Sequence, residues 1–297
     1  KDMPSDQQLH LAALQGNLDD LKAEGTTPLI LAAANNHVQC VQELLNNGAD
    51  PNARRLTGTC ALFFASQGGF LEIVQLLLEN GAVVDVASYD GGTPLFVACQ
   101  CNHQDVVEEL LAHGADIHVQ MVDGATSLFI AAQNGHCKLL RYLISQGADV
   151  NLRRKDDASA LWIAAQMGHS QVARELLDAG AEVDAVREDG ATALFKACHK
   201  GHAEVVEELL KHKPNLGMLK NGETALHAAA LFGHLKVLSQ LLEAGVPPDI
   251  KNKEGQTAAE LAAEAGYDYI TRFIQNFKHA SDTAIPAVNG QSIHTEV

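Results

Sequence analysis

One spacing limits what this chain can fold into. Leu29, Leu62, Leu95, Leu128, Leu161 and Leu194 stand 33 residues apart, Leu226 follows after 32, and Ala259 after a further 33. The same register aligns Thr27-Pro28-Leu29, Thr93-Pro94-Leu95, Thr126-Ser127-Leu128, Thr192-Ala193-Leu194 and Thr224-Ala225-Leu226. A fixed period of roughly 20–50 residues marks a repeat array, in which a unit too small to bury a core alone does so against its neighbours. Read without that period, 297 residues would suggest about two globular domains.

Each unit is punctuated in the same order. A short helix opens at the Thr and carries small residues such as Ala131-Ala132, Ala164-Ala165 and Ala229-Ala230, which let neighbouring helices approach closely. A break follows at Asn36-His37, Asn102-His103, Gly135-His136, Gly168-His169, Gly201-His202 and Gly233-His234. A second helix such as Val106 to Leu111 has acids between its apolar positions, the pattern of one buried and one solvated face. It stops at Gly48, Gly81, Gly114, Gly147, Gly180 or Gly245, where a left-handed cap favours glycine. Turn dipeptides Asp90-Gly91, Asp123-Gly124, Asp189-Gly190 and Asn221-Gly222 lead into the next unit.

These residues resemble the ankyrin-repeat pattern from about position 5 to 278. The resemblance implies a mainly α ankyrin-repeat solenoid of about nine helix-turn-helix units with β-hairpin fingers. The expected division is a shortened capping repeat at 1–25, seven repeats over 26–255, a C-terminal capping repeat at 256–278 and a disordered tail at 279–297. Three departures stand out. Only 20 residues separate Leu9 from Leu29, through either a deletion or missing residues. The seventh unit loses one residue near Lys213-Pro214-Asn215, and Asp157 replaces a turn glycine, at a cost of up to about 1 kcal/mol if φ stays positive.

Composition removes several function classes. With 21 Lys and Arg against 37 Asp and Glu, a net charge of −16 repels nucleic acid and anionic membrane. No apolar run approaches a membrane span of about 18 residues, and the six cysteines are too sparse for a disulfide framework. The expectation is a cytoplasmic monomer without a cofactor, binding protein partners, with an extended or acidic segment as the partner chemistry. Among 14 histidines, His37, His103, His136, His169, His202 and His234 share one repeat position. A ladder spaced by whole repeats cannot converge on one metal ion. Cys198-His199 and the Cys99, Cys101, His103 group lack an orienting third group, so no catalytic residue is expected.

Where the family pattern usually has His after the register leucine, this chain has Phe63, Phe96, Phe129, Trp162 and Phe195, with His10 and His227 keeping the family residue. These aromatics read either as a spine packed between units or as a half-exposed stripe offering anchors to a partner. Likewise Arg54-Arg55, Arg153-Arg154-Lys155, Arg187, Lys251 and Lys253 in the fingers are either solvated charge or a lure for an acidic segment.

The resemblance further implies that partners bind a concave face of fingertips and first-helix ends. That maps onto Tyr89, Asp90, Gln100, Gln133, Asn134, Lys155, Trp162, Gln166, Met167, Glu188, His199, Lys200, Leu231 and Phe232. It also makes Asn151, with Asn52 a weaker match, a candidate for asparaginyl hydroxylation. The ending Thr295-Glu296-Val297 resembles a ligand of a PDZ domain, in which the carboxylate, Val297 and the Thr295 hydroxyl are each read. The competing function is a regulatory or targeting segment of a larger enzyme or signalling protein.

Overall fold

The computed structural model describes residues 25–220 and 222–283, with the side chains of 281–283 left aside. The described residues form two compact units that divide between Glu182 and Val183. In the first, five helical hairpins follow one another: α1 (Pro28–Ala34) with α2 (Val38–Asn46), α3 (Ala61–Gly68) with α4 (Leu71–Glu79), α5 (Pro94–Gln100) with α6 (Gln104–Ala112), α7 (Ser127–Asn134) with α8 (Cys137–Ser145), and α9 (Ala160–Met167) with α10 (Ser170–Asp178). The second holds α11 (Ala193–Lys200) with α12 (Ala203–Lys211), α13 (Ala225–Leu231) with α14 (Leu235–Glu243), and α15 (Ala258–Glu264) with α16 (Asp268–Thr283). The expected shortened first unit falls largely on residues 1–24, outside the described ones.

The register residues set this plan through local chemistry. Hydroxyls of Thr27, Thr93, Thr126, Ser159, Thr192, Thr224 and Thr257 each accept the amide three residues on, closing one open backbone donor of the first helix. Cys60 occupies this position in front of α3 and forms no such cap. The register leucines from Leu29 to Leu226 are buried, and odd-numbered helices stack in sequence within each unit, α1 on α3, α3 on α5, α5 on α7 and α7 on α9, then α11 on α13 and α13 on α15. Even-numbered helices bury apolar faces such as Val106, Val107 and Leu110 behind them.

The Gly-His break has a double cause. Gly135 caps α7 at φ 75°, and a Cβ there would lie 2.8 Å from the His169 ring. Positive φ and the approach of the next repeat therefore both demand glycine. His103 donates to Gln67 O at 3.0 Å, His136 to Gln100 O at 3.1 Å and His169 to Gln133 O at 3.0 Å, each from Nε2. In the second unit His234 Nε2 does the same to His199 O at 3.1 Å.

Fingers were expected as β-hairpins. Among the described residues they are tight turns whose only β pairings are the isolated bridges Arg153–Ser159 and Lys251–Thr257. The limbs are too short for more than the bonds that close the turn itself, as in Met121 N to Ala125 O at 2.9 Å and Gly124 N to Met121 O at 2.8 Å. Fingers instead bond to each other: Tyr89 N to Thr57 O, Val122 N to Asp90 O and Lys155 N to Asp123 O, at 3.0, 2.8 and 2.9 Å. Asp157 keeps the positive φ of the glycine it replaces, at 62°. The last helix also runs to Thr283, past the expected end of the repeats at 278, because no turn glycine interrupts it and Lys278 pairs with Asp249 at 3.4 Å.

Candidate partner-binding face

In the first unit a groove of about 320 Å³ lies between fingers and inner helices. Its floor carries Gln67, Gln100 and Gln133, one at the C-terminal end of each of α3, α5 and α7. The His ladder holds the three backbone carbonyls, while among the described residues no hydrogen bond engages the three side-chain amides. The wall brings Arg154 over the Phe129 ring at 5.5 Å, and the same guanidinium meets Asp123 at 3.4 Å. Asp90 lines the groove from the adjacent finger, and its backbone carbonyl accepts from Val122 N at 2.8 Å. Its carboxyl is held below the ordinary carboxylate range, first by the Ser88 hydroxyl and then by the Gly92 amide.

The expected contact residues of this unit take different roles. Tyr89 is 74% exposed on its fingertip with the Arg54 guanidinium 5.9 Å from the ring centre. Lys155 and Met167 are exposed, and Gln166 is half-buried. Asn134 turns its amide back onto Gln100 O at 3.0 Å, so it braces the floor. Trp162, by contrast, is 5% exposed and lies with Phe96 and Phe129 inside the inner-helix layer, as a spine between repeats requires. Phe63 remains half-buried at the groove. The list drawn from sequence omitted Gln67, Met121, Asp123 and Arg154, all of which line the groove. Extending the 33-residue step back from Gln100 finds Gln67. Extending it either way from Tyr89 finds Leu56 and Val122, which are also exposed fingertips.

The second unit presents other groups at the corresponding positions. His199 stands 6.4 Å from Phe195 in a stacked arrangement and 4.4 Å from Phe232 edge-on, ring centre to ring centre. Burial first, then Lys196 and Lys200, push its pKa below the ordinary value of 6.5. Leu231 and Phe232 are exposed, as are Lys200 and Glu188, the latter 3.8 Å from Arg187.

Asn52 and Asn151 each span two turns. Asn52 donates to Gly81 O at 2.9 Å and accepts from Val83 N at 2.8 Å. Asn151 donates to Gly180 O at 3.2 Å and accepts from Glu182 N at 2.9 Å. Thr295, Glu296 and Val297 lie outside the described residues.

Burial pushes the Cys99 thiol up to about 12 and the Cys198 thiol upward as well, the reverse of what a nucleophile needs. Among the described residues no three His, Cys, Asp or Glu side chains converge as metal ligands, and no helix is long and apolar enough to cross a membrane.

Comparison with curated proteins returns no match. The family described as Ankyrin repeats (3 copies) matches at residues 8–55, 29–121, 83–154, 128–218, 161–252 and 212–284. Those overlapping matches together run over residues 8–284, and the chain belongs to the ankyrin-repeat family.

Proposed function

We propose that this chain is a scaffold or adaptor that holds a protein partner on the concave face formed by fingertips and inner-helix ends. Ankyrin repeats are generally protein–protein interaction modules. The observation that carries the reading here is the row of unengaged Gln67, Gln100 and Gln133 amides along one groove. Their carbonyls are fixed by the repeat's own hydrogen bonds, so recognition groups sit on a floor whose backbone does not need ordering on binding. The face acts by binding, in a cytoplasmic monomer, with the repeats bounded about as the register divides them. Thr295-Glu296-Val297 is a second proposed contact, for a PDZ domain, checked by whether a peptide with that ending binds as the free acid and not as the amide. At the level of single proteins, Ala61 to Gln67, Leu161 to His169 and Leu216 to Gly222 resemble ankyrin repeat domain-containing protein 29, a likeness that assigns no activity.

The test is proximity labelling with the intact chain and with the Gln100→Ala, Gln133→Ala double variant. A set of neighbours lost from the variant, with circular dichroism and thermal unfolding unchanged, is the expected result. An identical set of neighbours would count against the face.

A further inference from the structure

We propose that the groove of the first unit reads a segment in the polyproline II conformation, bearing a basic residue at one end. This rests on the concave-face reading and narrows it to one ligand geometry. Packed helices stand about 8–10 Å apart, so α3, α5 and α7 set the Gln67, Gln100 and Gln133 amides at nearly that step. A polyproline II chain makes one turn in three residues of about 3.1 Å rise, returning the same face every ~9.3 Å. A β-strand returns the same face every ~6.6 Å and so slips out of register within two steps. An α-helix commits its carbonyls internally and so has none to offer the three glutamine amides.

The chemistry of the groove agrees with its spacing. Polyproline II chains have no internal hydrogen bonds, so carbonyls at i, i+3 and i+6 can accept from the three glutamine Nε2 groups. Proline supplies no N–H and asks for no acceptor in return, and its rings dock against aromatic-lined grooves. Here the accessible ring is the half-buried Phe63, with Phe96 and Phe129 buried beneath the groove floor. Of the charged lining groups, Asp123 is paired with Arg154, which leaves Asp90 to set the sign. An Arg or Lys at the Asp90 end is therefore favoured.

A nine-residue proline-rich peptide starting with Arg, carrying a fluorescent label, would be titrated with the full chain and followed by anisotropy. Two control peptides keep the Arg: an alternating Val-Thr sequence and an amphipathic helix. The expected order is proline-rich tightest, with Gln100→Leu plus Gln133→Leu weakening it about tenfold to thirtyfold through two lost neutral hydrogen bonds. Asp90→Asn should weaken only the Arg-bearing form and reduce its salt dependence. A control peptide that binds more tightly and is weakened by the leucine variants would overturn the polyproline reading and leave the concave face standing. If no peptide binds, or binding ignores the leucine variants, the polyproline reading fails; an unchanged labelling set would sink the face as well.

Discussion

In residues 25–182 the inner helices end on Gln67, Gln100 and Gln133, whereas in residues 183–283 the same register carries His199 and Leu231. The backbone around these ends does not change. Gly135 and Gly201 both cap in the left-handed region, and a following histidine donates to the carbonyl of Gln133 in one unit and of His199 in the other. The side chains differ completely: neutral amides over a groove in the first unit, and a ring cluster of Phe195, His199 and Phe232 flanked by Lys196 and Lys200 in the second. The repeat fixes where a side chain is presented through a few obligatory positions and leaves its chemistry open. Two units with one fold can thus read two ligands.

The sharpest way to break that division is to exchange the two kinds of position. Leu128 is buried on α7 and Gln133 lies five residues on, at the surface of the groove. Leu128→Ala leaves a cavity between stacked repeats and should cost about 2–5 kcal/mol in denaturant unfolding. Gln133→Ala should stay within about 0.5 kcal/mol of the parent. A large loss from the glutamine would show the floor to be part of the fold.

Obligatory positions are not all ideally filled, which gives a test of opposite sign. Asn52 and Asn151 bridge successive turns with both amide atoms, yet Asp85 at the same register accepts only from Asp116 N, at 3.0 Å, and leaves its Oδ1 buried without a partner. Asp85→Asn restores a donor toward the carbonyl of Gly114, the register counterpart of Gly81 and Gly180. Stability should rise by about 1 kcal/mol, read as a shift of the urea midpoint at constant slope. A fall would mean that the bridge is not a shared device of the repeats.

Legibility in the sequence follows the same line. Register leucines, Thr caps and the Gly-His break were readable because sterics and hydrogen bonding admit few residue types there. Fingers were over-read as hairpins, since turn dipeptides announce a reversal but not how long its limbs are. Trp162 stayed open between spine and stripe because the period tells which helix carries a residue and not how closely the next repeat covers it, and at 5% exposure it belongs to the spine. Gln67, Met121 and Asp123 escaped because many residue types tolerate a groove wall. Only their repetition at 33 residues, or the assembled fold, brings them together.

The smallest effect separates the two floors by pH. Neutral glutamines do not titrate, whereas His199 sits among rings and two lysines that hold its pKa below 6.5. A histidine whose folded pKa is lowered binds its proton less readily in the native state than in the unfolded one. Above the unfolded value both states are neutral and no contribution arises. As pH falls through about 6.5 the unfolded chain protonates first, so stability drops, and the drop levels off once the native ring protonates too. Unfolding midpoints of His199→Gln should therefore decline less than those of the parent between pH 7 and 5, with the difference gone at pH 8. Gln133→His places an imidazole at the same register in the first unit, without a lysine pair on its own helix, and should add little pH dependence. Equal declines for the parent and His199→Gln would show that the ring cluster and its lysines do not act on His199, and the electrostatic half of the contrast between the floors would be lost.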